Sequence, residues 1–205
     1  MLYFRQSADV GPGDLMTNED ERDLVARAKA DPEAFGALYE RYVERIYSYH
    51  VRHTSDHVEA EDLTSRTFYR ALRSLHRYRD TGAPFQAWLY RIAHNLLVNW
   101  YRDRGNRPTV SLDVEDPIPL ESTGMGPEAW LATAERREAL RRVIDALPED
   151  RKTLIILKFF EHMTNAEIGE ILGKTEGAIK ALYHRTLISL RHAMQEGAGN
   201  VPESQ

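Results

Sequence analysis

The chain has 205 residues, with 27 Lys+Arg against 32 Asp+Glu for a net charge of −5, and 42% of its residues are apolar. That balance is ordinary for a folded globular chain, and the absence of cysteine removes disulfides, thiol catalysis and Cys-ligated zinc together. No apolar run is long enough to span a bilayer, and the opening Met1–Asp14 stretch lacks the basic-then-apolar pattern of a secretory signal, so the cytoplasm is the expected compartment.

Residues 1–18 read as a flexible N-terminal segment. Asp31-Pro32-Glu33 then supplies an N-cap, a proline at the first helical position and an acid in the first turn. Asp56-His57-Val58-Glu59 has the form of a capping box and opens another helix. His50, His53 and His57 fall 3 and 4 residues apart, with Asp56 and Glu61 nearby, a spacing at which a helix can present metal ligands together. A new helix cap at Asp56 breaks that face, so solvated histidines beside a turn are expected and no metal is assigned.

Pro84 opens a helix from Phe85 to about Arg104, which Gly105 can end. Within it Trp88, Arg91, Asn95, Asn99 and Arg102 recur at steps of 3 and 4 and share one face, while Leu89, Ile92, Leu96 and Trp100 line another and suit a core. The first face joins an aromatic ring, amides and guanidinium groups: rings stack on unpaired bases, amides pair with base edges, and arginine neutralises phosphate. Upstream, Arg66, Arg70, Arg73, Arg77 and Arg79 thicken the positive field, and the loop from His76 to Pro84 is placed to house a flipped base.

From Arg107 to Pro127 the composition changes, with four prolines and two glycines in 21 residues, so an acidic, semi-extended linker is expected over 108–127. Beyond it Pro148 opens a helix whose run Leu154–Phe160 reads as buried, and Thr164-Asn165-Ala166-Glu167 is a capping box. A short helix (165–172), a tight turn at Gly173-Lys174 and a longer helix (176–191) make a helix-turn-helix. Ala166, Ile168, Ile171 and Leu172 of the first helix, and Ile179, Leu182 or Tyr183, Leu187 and Leu190 of the second, take the buried positions. Thr175, Glu176, Lys180, Ala181, His184 and Arg185 are left on the exposed side. Small residues at Gly177, Ala178 and Ala181 permit close approach to a major groove, and Lys180 and Arg185 can reach phosphates or base edges.

No segment alternates at period two, so the fold class is all-α: two small helical domains joined by the linker, the second carrying the helix-turn-helix. Charge follows the same division. Residues 1–40 carry −5 and 108–135 carry −6, whereas 41–107 carry +5 and 136–205 carry +1. The net acidity therefore hides two segments that together are cationic.

In this order the segments resemble the small two-domain, extracytoplasmic-function (ECF) group of bacterial RNA polymerase sigma factors. The resemblance covers residues 19–194. It rests on Asp23–Tyr42, on Ala60-Glu61-Asp62-Leu63-Thr64-Ser65-Arg66-Thr67-Phe68-Tyr69-Arg70-Ala71-Leu72, on Phe85–Asn95 and on Thr175–Arg185. It implies sigma region 2 at 19–107, the linker at 108–127, region 4 at 128–195 and a flexible tail at 196–205, with no further domain. It also implies that Asp62, Leu63, Arg66, Thr67 and Arg70 bind core polymerase. Arg77, Gly82, Phe85, Trp88, Arg91, Asn95, Asn99 and Arg102 would take the minus-ten strand, and Thr175, Glu176, Gly177, Ala178, Lys180, Ala181, His184 and Arg185 the minus-thirty-five duplex.

The implied partners are the largest and second-largest subunits of the RNA polymerase core, promoter DNA and an anti-sigma factor that can hold the chain at the membrane. No cofactor, no small-molecule substrate, no membrane insertion and no catalytic residue are implied. Leu182 and Tyr183 depart from the family's usual Arg followed by an apolar residue, which removes or moves one phosphate contact. A conventional helix-turn-helix regulator that binds a palindromic site without polymerase is the alternative; it accounts for residues 164–191 but not for the pattern at 85–102.

Overall fold

A computed structural model describes residues 18–80, 82–104 and 138–198, so the expected linker lies outside the described residues. Among them every regular element is helical. The first domain holds α1 (Asn18–Ala30), α2 (Phe35–Thr54), α3 (His57–Ser74) and α4 (Phe85–Arg104), with short 3-10 turns at Pro32–Ala34 and Leu75–Arg77. The second holds α5 (138–145), α6 (Glu149–Phe159), α7 (Asn165–Leu172) and α8 (Glu176–Ala198). The last helix runs through residue 198, three residues into the stretch expected as a tail. No helix of the described residues is long and apolar enough to cross a membrane.

The caps act at the expected places, with two refinements. Asp31 accepts from the Glu33 amide at 2.9 Å, but the turn it caps is a 3-10 turn that feeds directly into α2. Asp56 accepts from the amides of Val58 at 2.9 Å and Glu59 at 3.2 Å. Glu59 does not complete a capping box. Its carboxylate instead accepts from Trp100 Nε1 at 2.7 Å and from Arg104 at 2.8 Å, tying the start of α3 to the end of α4. At α7 the box is complete: Thr164 Oγ1 accepts from the Glu167 amide and Glu167 accepts from the Thr164 amide at 2.6 Å.

The two domains share one core. Leu38, Tyr42, Ile46, Tyr49, Leu63, Leu89, Tyr90, Leu96 and Leu97 of the first are continuous with Leu154, Ile156, Leu157, Ile168 and Ile179 of the second. The main seam is α4 against α7, with α2 against α6 beside it. Across it, Arg45 Nε and Nη2 both reach Glu161 Oε2, at 2.9 and 2.8 Å, and the Glu161 side chain is only 4% exposed. The Arg52 guanidinium lies 4.1 Å from the Phe160 ring centroid.

The expectation of solvated histidines is overturned for two of the three. His50 and His53 are buried: His50 Nε2 meets Thr67 Oγ1 at 3.2 Å inside the first domain, and His53 Nε2 meets Thr153 Oγ1 at 3.4 Å across the seam. His57 alone is exposed and pairs with the Tyr47 hydroxyl. No group of three His, Asp or Glu among the described residues is arranged to hold a metal ion.

In the helix-turn-helix, Ala166 and Leu187 are exposed rather than buried, and Gly169 and Thr186 take the interior positions. Thr186 tolerates burial because its hydroxyl donates to the Leu182 carbonyl at 2.8 Å.

Candidate nucleic-acid interface

Three faces carry the residues singled out from the sequence. The first is the outer side of α3. Asp62, Arg66 and Arg70 are exposed there, Asp62 and Arg66 paired one turn apart at 3.2 Å, and Tyr69 stands 59% exposed beside them. Leu63 and Thr67 belong to the opposite side. Both are 0% exposed, and the Thr67 hydroxyl donates to the Leu63 carbonyl at 2.7 Å while facing His50. They cannot touch a partner and instead seat α3 against α2, which corrects the reading of these two as contact residues.

The second face is built on α4 and the loop before it. Arg91, Asn95 and Arg102 are exposed, and Trp88 and Asn99 are half-buried, so the five residues do form one accessible stripe. Phe85 does not join them. It is 2% exposed and forms an aromatic base with Tyr78 and Trp88, whose ring centroids lie 5.6 and 5.3 Å from its own. Its role is to hold the Trp88 ring at the surface, because a ring packed on two others loses its rotamer freedom before any ligand arrives.

The loop is anchored on both sides. Lys29 of α1 donates to the Tyr78 carbonyl and lies over the Tyr78 ring, and Arg22 pairs with Asp80 at 2.8 Å. Asp80 in turn accepts from the Gly82 amide at 3.0 Å, and Gly82 has φ +93, a backbone state that a side chain would strain.

Beside this stripe lies an open cleft of about 470 Å³ lined by Arg70, Arg73, Ser74, His76, Arg77, Ile92 and Asn95. Three guanidinium groups with an amide and an apolar floor suit a phosphodiester with its attached base. Two consequences follow for the sequence reading. Arg70, grouped there with Asp62 and Arg66, faces the same hollow as Arg77 and Asn95. Arg73, noted only as part of the background field, is a full member; its spacing of three from Arg70 and four from Arg77 is the signal that marks it.

The third face is the first half of α8. Thr175, Glu176, Gly177, Ala178, Lys180, Ala181, His184 and Arg185 are all exposed, while Ile179 is fully buried and fixes the helix on α7. Thr175 Oγ1 accepts from the Ala178 amide at 3.2 Å and so caps the helix, and Lys180 pairs with Glu176 at 3.0 Å. The turn between the helices depends on two glycines. Gly173 adopts φ +64, and a Cβ on Gly169 would stand 2.6 Å from the Lys174 carbonyl oxygen. Gly169 escaped the sequence reading; a glycine four residues before a helix-ending glycine is the trace it leaves.

Comparison with known proteins follows the same division. Residues 38–107 match the family model for Sigma-70 region 2, and residues 137–190 match that for Sigma-70, region 4. The chain is 31% identical over 176 residues to the ECF RNA polymerase sigma factor SigW of Bacillus subtilis, covering 82% of this chain and 92% of that one. It is also 31% identical over 177 residues to the ECF RNA polymerase sigma factor BldN of Streptomyces coelicolor, covering 86% of this chain and 66% of BldN. In fold it is similar to the sigma factor RpoE in its co-crystal structure with the anti-sigma factor NepR from Bartonella quintana. The TM-score is 0.59 and the identity 19%, over 78% of this chain and 96% of that one.

Proposed function

The chain belongs to the ECF sigma factors of the sigma-70 family, and from that premise we propose that it binds core RNA polymerase and directs initiation at promoters by reading a minus-ten and a minus-thirty-five element. The observation that carries this is the simultaneous exposure of three chemically distinct faces, in the family's order, on helices whose opposite sides are buried.

Residues 19–107 act as region 2. The outer side of α3, through Asp62, Arg66 and Tyr69, docks on the largest polymerase subunit. The α4 stripe and the cleft at Arg70, Arg73 and Arg77 take the melted strand, with Trp88 as the stacking surface. Stacking contributes about 1–3 kcal/mol per base. Residues 128–195 act as region 4, and Thr175–Arg185 enter the major groove upstream, where each good base contact discriminates by about 1–3 kcal/mol. Residues 108–127 connect the two through the polymerase, their acidity suiting a basic nucleic-acid channel, and the second-largest subunit meets region 4.

The chain itself performs no bond chemistry; polymerase supplies the active site. It works in the cytoplasm under the control of an anti-sigma factor, as the likeness to RpoE with NepR suggests. The test follows from charge. In the free protein the −11 of residues 1–40 and 108–135 opposes the +6 of the two cationic segments, and phosphate contacts dominate affinity for DNA. Promoter DNA is therefore bound tightly and specifically only when core polymerase is present, measured by gel shift with each component omitted in turn. Tight, specific binding by the chain alone would favour the palindrome-reading regulator instead.

A further inference from the structure

The seam between the domains has a consequence for the promoter reading just given, on which the following rests. In this arrangement α7 packs on α4 and α8 packs on α7. Helices in contact lie about 8–10 Å apart, so α8 stands within about 20 Å of α4. The two promoter elements are about 25 base pairs apart, or about 85 Å at about 3.4 Å per pair. The closed chain cannot engage both.

The groups that seal the seam are unusual for a contact that must open. The His53 side chain is 0% exposed, with Thr153 Oγ1 3.4 Å from its Nε2 and Glu149 Oε2 3.5 Å from its Nδ1, both contributed by α6 of the other domain. The Tyr101 hydroxyl of α4 donates to the His53 carbonyl at 2.8 Å, and the Tyr49 ring lies 4.7 Å from the imidazole.

We propose that this seam is a latch that keeps the free chain from spanning a promoter, and that acidification releases it because His53 must stay uncharged for the domains to remain closed. The charged neighbours decide the sign. Lys152 of α6, Arg52 of α2 and His94 of α4 oppose an imidazolium, whereas Asp145 of α5 and Glu149 of α6 favour it. Lys152 already takes Asp145 at 2.7 Å, and burial holds the Glu149 carboxyl above its usual range, which weakens both as counterions. Loss of water around the imidazole outweighs what remains and holds His53 well below 6.5. When α6 departs, water reaches the ring and its affinity for a proton recovers, so opening takes up a proton. His94, which faces Asp150, Glu149 and Lys174 and is likewise held below 6.5, acts with the same sign.

The full chain contains no cysteine, so a dye pair can be placed through Ser65→Cys on α3 and Glu170→Cys on α7, both exposed. Energy transfer is read from about pH 7.5 to about pH 5.5, with helicity followed by circular dichroism. The open-to-closed ratio should rise about tenfold through His53 alone, helicity being retained. His57→Gln should keep the whole rise, and His53→Gln should lose at least half of it on a logarithmic scale. Constant transfer with retained helicity, or an undiminished rise in His53→Gln, overturns the latch.

Should His53→Gln fail to close at any pH, histidine NMR on the unsubstituted chain decides. Proton uptake by His53 in step with loss of transfer supports the proposal, and uptake while transfer stays high overturns it. Neither readout uses polymerase or DNA, so failure of promoter-directed transcription would strike the sigma reading and leave these results standing.

Discussion

Gly169→Ala tests whether the helix-turn-helix is held as tightly as the structure states. A Cβ at this position would stand 2.6 Å from the Lys174 carbonyl oxygen, at least 0.4 Å inside the 3.0 Å that real Cβ contacts respect. The obstacle is backbone and cannot rotate away. The Lys174 amide donates to the Gly169 carbonyl at 2.9 Å, and Gly173 fixes the chain at φ +64, so the turn moves as a unit or not at all. Forced displacement of packed backbone costs about 1–3 kcal/mol, and loss of the Lys174 bond adds about 1 kcal/mol. Alanine returns up to about 1 kcal/mol of helix preference.

The net expectation for Gly169→Ala is a loss of about 1–3 kcal/mol, read as a fall in Tm of roughly 2–12 °C for a chain of this size. Gly36→Ala is the matched control: it lies in α2 with nothing within 4 Å of its added Cβ, so it leaves stability unchanged or raises it slightly. Thermal unfolding of the two variants side by side, followed by circular dichroism, is the assay. Equal stability of Gly169→Ala and Gly36→Ala would refute the close packing of this turn.

Further outcomes follow from the other contacts. Glu59→Ala strips the acceptor from both Trp100 and Arg104 and should cost about 1–3 kcal/mol in urea unfolding, while Glu61→Ala, exposed on the same helix, should cost little. Arg91→Ala or Asn95→Ala should lower open-complex formation about tenfold, read by permanganate footprinting, with core polymerase binding unchanged. Burial holds His50 down to about 3, so the folded state keeps it neutral. Its contribution is complete above pH 6.5 and declines by up to about 1.4 kcal/mol per pH unit as pH falls from 6.5 toward about 3. Urea midpoints across that range should slope downward, and His50→Gln should flatten the slope.

What was legible in the sequence was local. Asp31, Asp56 and Thr164 act as caps because a short polar side chain before a helix satisfies its own amides, whatever surrounds it. The α4 stripe from Trp88 to Arg102 and the exposed side of α8 follow from helical period alone. What was not legible depended on neighbours distant in the chain. His53 looks like a solvated histidine beside a turn until α6 covers it. Phe85 falls at the edge of the α4 stripe by spacing, yet Tyr78, 7 residues upstream, draws it inward. Thr67 is expected at a contact surface, but it returns its hydroxyl to the Leu63 carbonyl four residues earlier and so can be buried, as Thr186 does with Leu182.

Charge shows the same contrast between local and global. The net −5 is set by the N-terminal segment and the stretch 108–135, while Arg70, Arg73 and Arg77 converge on one cleft. Composition summed over the chain therefore pointed away from nucleic acid, and composition summed by segment pointed toward it.

The most direct test of the central claim is transcription from mapped promoters by core polymerase with and without the purified chain. The account predicts transcripts that begin at fixed positions only when the chain is present, and that disappear with Trp88→Ala although this variant still copurifies with core. Transcription with the same starts in the absence of the chain, or starts that Trp88→Ala leaves untouched, would contradict it.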